Sequence, residues 1–277
     1  MLRHDRDMYG DNARQPLAAS HISPVSSERK GVYVYCVAPG DHWQNDEAHI
    51  DVTGIGDRGD RIRVVHGPGV HLAALVSDSP QGRYAISRRN LLAHERVIER
   101  AMATSDVLPI QFGKIATSDQ EVRESLLEAQ RQSLHELLDY VHGKVELSLK
   151  VLWRQEQLFA DIVAEDAQIR QLRDSTIAQA TFSEQLMLGQ LVERAIASKR
   201  EREAYRILAA LRPHAFDMRL NEIGSDMIVL NAAFLVHRAE VDEFDDAVGR
   251  LELESNSALS FRYVGPLPPY SFVHVIL

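Results

Sequence analysis

Hydrophobic and polar positions alternate most cleanly between Lys144 and Trp153. Val145, Leu147, Leu149, Val151 and Trp153 fall on one side, and Lys144, Glu146, Ser148 and Lys150 on the other. A period of two predicts a strand with one face packed on helices and the other partly wet. Gly31 to Val37 (GVYVYCV) mixes β-branched and aromatic residues and reads as a second strand. Arg61–His66 and Val70–Ser77 are two more, joined by Gly67-Pro68-Gly69 as a hairpin. Ser87 opens a helix whose apolar positions Leu91, Leu92, Ile98 and Met102 recur at helical spacing. A short apolar strand over 107–110 follows. Ser118, with Glu121 three residues on, forms a capping box for a helix from about Asp119 to Val141, and Gly143 stops it.

Beyond Gln155 the period lengthens. Helices are predicted over 155–173 and 183–211, the second about 43 Å long at 1.5 Å per residue. Its middle, Lys199-Arg200-Glu201-Arg202-Glu203, is charged nearly all round, so part of it is expected to project from the core. Phe216–Leu220 reads as a strand. Met227–Val236 is almost uniformly apolar, as for a central strand covered on both faces. Val241, Phe244, Val248 and Leu251 mark a further amphipathic helix, and strands are expected near 258–264 and 271–276. These elements predict an α+β protein of two domains. A modified ferredoxin-like domain spans 31–153, and an α+β domain with long helices spans 154–277. Residues 1–30, rich in Arg, Asp, Ser and Pro, are expected to be a disordered tail.

Composition narrows the function classes. A net charge of −9 argues against binding a nucleic-acid backbone. No run approaches the roughly 20 apolar residues that span a bilayer, and residues 1–30 lack the apolar core of a signal peptide, so the expected location is the cytoplasm. One cysteine, Cys36, makes no intrachain disulfide. The 12 histidines are not spaced as ligands, for no H-x-x-x-H pair or Cys/His cluster occurs, and no metal or other cofactor is expected. Gly54-x-Gly56-x-x-Gly59 matches a phosphate-binding fingerprint, but a strand rather than a helix is predicted after it. His94 lies at the edge of an apolar helical stripe beside Glu95. Adjacent helical residues point about 100° apart, so the pair is read as structural. His94 is expected to hydrogen-bond a neighbouring loop, the one holding Pro109 and Phe112.

Four segments carry a resemblance: HERVIERAM (94–102), VLPIQFGKI (107–115), GKVELSLKV (143–151) and the closing GPLPPYSFV (265–273). Together, in this order, they are similar to the gas vesicle protein F/L family over roughly residues 31–277. Gln111 replaces a basic residue, Lys114 a small hydroxyl residue and Leu267 a frequent Trp, which leaves the F or L subtype open. The resemblance implies a non-enzymatic accessory or minor shell component that nucleates or assembles the gas vesicle. Its implied partners are the major shell protein and other accessory proteins. The candidate partner-binding or structural residues are His94, Pro109, Phe112, Gly113, Gly265, Pro266, Pro268, Pro269, Tyr270 and Phe272. The stiff Gly265–Tyr270 stretch reads either as a docking edge or as a lid over a seam between domains. Two alternatives stay open: a regulatory partner-binding module on a ferredoxin-like scaffold, and an enzyme using His94 as base.

Overall fold

A computed structural model describes residues 31–43, 51–56, 61–67, 69, 71–80, 82–179, 181–255 and 258–277. The expected tail over 1–30, with Gly59 and Pro68, lies outside the described residues.

The first sheet holds β1 (Gly31–Pro39), β2 (Arg63–His66), β3 (Leu72–Ser79), β4 (Leu108–Pro109) and β5 (Ile115–Ala116). Its order is β2-β3-β1-β4, β5 also pairs β1, and every pairing is antiparallel. The central strand β1 is buried from Val32 to Ala38, because helices cover both of its faces. Tyr33 and Tyr35 share a core with Val97, Ile98 and Ala101 of α1 (Arg88–Met102). Val32, Val34 and Val37 share another with Leu126, Leu127, Leu134 and Leu138. A bulge between Val34 and Cys36 makes the switch of sides.

The helix expected over 119–141 is interrupted. α2 (Asp119–Glu121) runs into a π-helical turn, Val122–Glu128, and α3 (Arg131–Val141) follows. Ser118 accepts the Glu121 N–H at 3.2 Å, but the Glu121 carboxylate accepts from Thr117 N at 2.6 Å instead of the Ser118 N–H. The reciprocal half of the expected box therefore lands one residue early. Gly143 ends α3 with φ +66°.

β6 (Lys144–Trp153) was expected to close the first half but belongs to the second sheet. There the order is β7-β8-β6-β9, with β7 (Asp217–Leu220), β8 (Ile228–His237) and β9 (Leu259–Leu267). Its apolar face, Val145 to Trp153, packs on α4 (Gln155–Glu165), α6 (Phe182–Leu211) and α7 (Val241–Glu254). That demand for helices draws it away from the first sheet. Two further expectations give way. The stretch 155–173 is two helices, α4 and α5 (Ala167–Gln179), because the Asp166 carboxylate accepts the N–H groups of Gln168 and Ile169 and starts a new helix. No strand forms at 271–276, where the backbone turns on Pro268 and Pro269. Lys199, in the charged middle of α6, does not project. It is 9% exposed and bound to Asp161 at 3.2 Å and to Glu165 on α4.

Candidate functional site

α1 presents His94 to the interior because the residue falls on the helix's buried stripe with Val97, Ile98 and Ala101. The ring is 2% exposed and committed at both nitrogens. Nε2 lies 3.1 Å from the Ile110 carbonyl and Nδ1 lies 3.1 Å from the Tyr33 hydroxyl. A carbonyl only accepts, so Nε2 carries the proton and Nδ1 accepts from Tyr33. The Tyr33 oxygen in turn accepts the Gly113 N–H at 2.9 Å. Phe112 meets the imidazole edge-on at 5.7 Å and Tyr35 stacks on it at 5.7 Å. Burial pushes the His94 pKa down to about 4, and the Ile110 contact offsets only part of that. A neutral, enclosed, doubly bonded imidazole has no free nitrogen to offer a substrate; it ties α1 to the loop after β4.

That loop is shaped by its own residues. Pro109, on the edge strand β4, needs no outward donor. Gly113 takes φ +89°, where an L side chain is strained. Past the turn, Lys114 Nζ reaches the backbone carbonyl of Leu277 at 3.3 Å.

The closing segment converges on the same region from the other end of the sequence. At Gly265 a Cβ would sit 2.4 Å from Leu147 Cδ2 and 3.3 Å from Glu146 O, so a side chain there would have to push the end of Leu147 aside as β9 approaches β6. Pro266 carries the strand on, and Pro268 and Pro269 then turn the chain, their carbonyls accepting from Tyr270, Phe272 and Val273. Four consecutive residues thereafter dock in four places. Tyr270 packs against the core that holds Tyr33, Cys36 and Ile98, and burial, then the Glu95 charge, raises its pKa. Ser271 donates from both N and Oγ, each at 2.7 Å, to the Glu146 carboxylate of β6. Phe272, 2% exposed, packs on Ala233 and Leu235 of β8 and on Tyr140 of α3, with the Arg219 guanidinium 5.3 Å over its ring. Val273, and Val275 beyond it, complete the core under the first sheet, and Gln130 Nε2 donates to Ile276 O at 2.7 Å. The segment is a strap across both sheets. It buries one end of the β6 face expected to be partly wet, where Glu146 is 5% exposed, while Lys144, 8% exposed, lies against the Phe216 ring with Nζ donating to Tyr140 O and His142 O. Burial raises the Glu146 pKa, against the Ser271 bonds that lower it. A second clasp runs from Arg238, after β8, whose Nη2 donates to Met102 O at the end of α1 and whose N–H donates to Gly143 O.

His94, Phe112 and Gly113 thus form one node. Gly265, Pro266, Pro268, Pro269, Tyr270 and Phe272 form the strap, and the two meet around β1 and Lys114. Sequence reasoning passed over Tyr33, Glu146 and Ser271, which hold both together. Glu146 carries the one available signal, an acid in the middle of a strong strand.

A model described as gas vesicle synthesis protein GvpL/GvpF matches residues 31–274. The chain belongs to this family. Gas vesicle protein F of Streptomyces sp. is 35% identical over 244 residues, covering 87% of this chain and 98% of the relative. Gas vesicle protein L2 of Halobacterium salinarum is 26% identical over 277 residues, covering 91% and 96%. The crystal structure of GvpF from Anabaena sp. PCC7120 superposes with a TM-score of 0.73 at 25% identity over 90% of this chain and 98% of that one. GvpF from Microcystis aeruginosa gives 0.71 at 24%, covering 88% and 99%. The mixed helix-and-sheet fold of this GvpL/GvpF family member is thus that of crystallised GvpF proteins, and its family takes part in gas vesicle formation. Among the described residues no helix is long and apolar enough to cross a membrane.

Proposed function

We propose that this chain is a non-enzymatic, cytoplasmic accessory or minor structural protein that binds the major gas vesicle shell protein and assists nucleation and assembly. The observation carrying this reading is the family match across residues 31–274. It is supported by the fate of the recognisable motifs. The His94 node and the strap are consumed in holding two sheets in one arrangement, as suits a rigid platform. In this reading the two sheets head two units, each ferredoxin-like. The supporting fact is that both sheets run in the order second, third, first, fourth by chain sequence. A subunit that lines a gas-filled wall exposes apolar surface before assembly, and an escort must cover it. The apolar side chains for that contact are taken to be Phe182, Leu186 and Met187 at the start of α6, exposed by 82%, 54% and 52%. Co-purification with the shell protein tests the proposal. Association that is lost in a Phe182→Ser, Leu186→Ser variant of unchanged melting temperature supports it. Two folded proteins that elute separately refute it.

A further inference from the structure

The strap covers only one end of the second sheet's back face. The row Asp217–Leu235–Glu146–Leu267 lies near Tyr140 and Phe272, with Tyr140 bonded to Asp217 and Ser271 to Glu146. Beyond it the register brings Arg219, Ala233, Ser148 and Val264 into the next row, then Asn231, Lys150 and Arg262. Leu152, Ile228 and Ser260 make the last row. Phe272 and Tyr140 reach as far as Ala233, and among the described residues no helix is packed on the rows past it. Arg219, Arg262 and Val264 are exposed, the last by 56%, and Ser148, Lys150, Leu152, Asn231 and Ser260 are half-buried.

The charge of this face is opposite to that of the chain. Lys150 and Arg262 are direct cross-strand neighbours, a like-charge pairing that costs stability. Among the described residues neither has an ion pair. Arg219 belongs to the covered end, over the Phe272 ring and near Glu146, and the two acids there, Asp217 and Glu146, are already bonded. In a protein of net charge −9, two adjacent cations on an open face are a local reversal of sign.

We propose that this face docks a short acidic segment of another polypeptide, at least two carboxylates meeting Lys150 and Arg262 while an apolar side chain covers Val264 and Leu152. Across β8, β6 and β9 two strand spacings of about 4.8 Å give a width of about 10 Å, enough for one helix or a few extended residues. A nucleic acid fits less well. Non-specific single-strand binding relies on aromatic platforms for successive bases, and Ser148, Lys150, Leu152, Asn231, Ser260 and Val264 supply none, leaving Arg262 as the one stacking plane. This surface is distinct from the α6 tip and stands whether or not shell binding does.

The test uses the full chain and two fluorescein-labelled peptides of alternating Glu-Val and Lys-Val, followed by fluorescence anisotropy. The Glu peptide binds, the Lys peptide does not, and the Lys150→Glu, Arg262→Glu double variant loses at least tenfold in affinity at unchanged circular dichroism. A Lys150→Gln, Arg262→Gln variant, milder for folding, falls between. On adding the Glu peptide, amide exchange slows in β6 and β9. Equal binding by wild type and both variants overturns the proposal, as does protection confined to other elements. Tighter binding of a single-stranded oligonucleotide of equal charge overturns it in favour of nucleic acid. A dimer by light scattering that the variants dissolve shows a second copy to be the occupant.

Discussion

Phe272→Ala removes the ring that pins the strap. Complete loss of a buried phenylalanine side chain costs about 3–5 kcal/mol in a core. Phe272 is 2% exposed but belongs to a small cluster with Ala233, Leu235 and Tyr140, beside which water can refill part of the space. The lower end, about 3 kcal/mol, is therefore expected. At about 2–4 °C per kcal/mol for a chain of this length, the melting temperature falls by about 6–12 °C. The loss is also local. Without its anchor the strap frees Ser271, and Glu146 keeps a buried carboxylate with two fewer donors. Differential scanning calorimetry gives the first number. Hydrogen exchange gives the second, with amides of Ser271, Phe272 and Val273 losing protection ahead of those in β8. A melting point within about 2 °C of wild type, with unchanged protection in that segment, refutes the strap.

Three further predictions concern single residues. His94 has a folded pKa of about 4, below the ordinary 6.5, so the unfolded chain binds its proton first as pH falls. Its contribution is full above pH 6.5 and lost on the way to 4, about 3 kcal/mol at most, and urea titrations at pH 7.5 and 4.5 give a steeper loss for wild type than for His94→Gln. Gly113→Ala forces an L side chain to φ +89° where no neighbour stands within 4 Å, so strain alone acts. Thermal melts give a loss of about 1–2 kcal/mol, which Gly113→Asn partly restores. Lys150→Glu converts the like-charge pair with Arg262 into an attractive one and stabilises by about 0.2–1 kcal/mol in denaturant melts.

Periodicity located the elements well where burial is one-sided. The alternation in Lys144–Trp153 marks β6 to the residue, and the Ser87 cap marks the start of α1. It could not say which sheet β6 joins, because strand pairing between Val145 and Val236 is a matter of register over nearly a hundred residues. The closing apolar residues misled for a related reason. Phe272, Val273 and Val275 look like a strand, yet Phe272 packs on the second sheet and the two valines fill the core under the first, so no ladder forms. His94 was legible as a loop anchor because it sits one turn from Leu91 and Val97 on a buried stripe. Its partner Tyr33, 61 positions away, was not. The open basic face escaped notice because Lys150 and Arg262 become neighbours only through the pairing of β6 with β9.

The strap has a consequence for synthesis on the ribosome. Val273 and Val275 fill space beneath a layer whose other members, Val32 to Val141, were translated far earlier. Until those last residues emerge from the exit tunnel, the amino-terminal half holds a greasy furrow with no occupant. A chaperone or an early-arriving partner has its best opportunity during that interval.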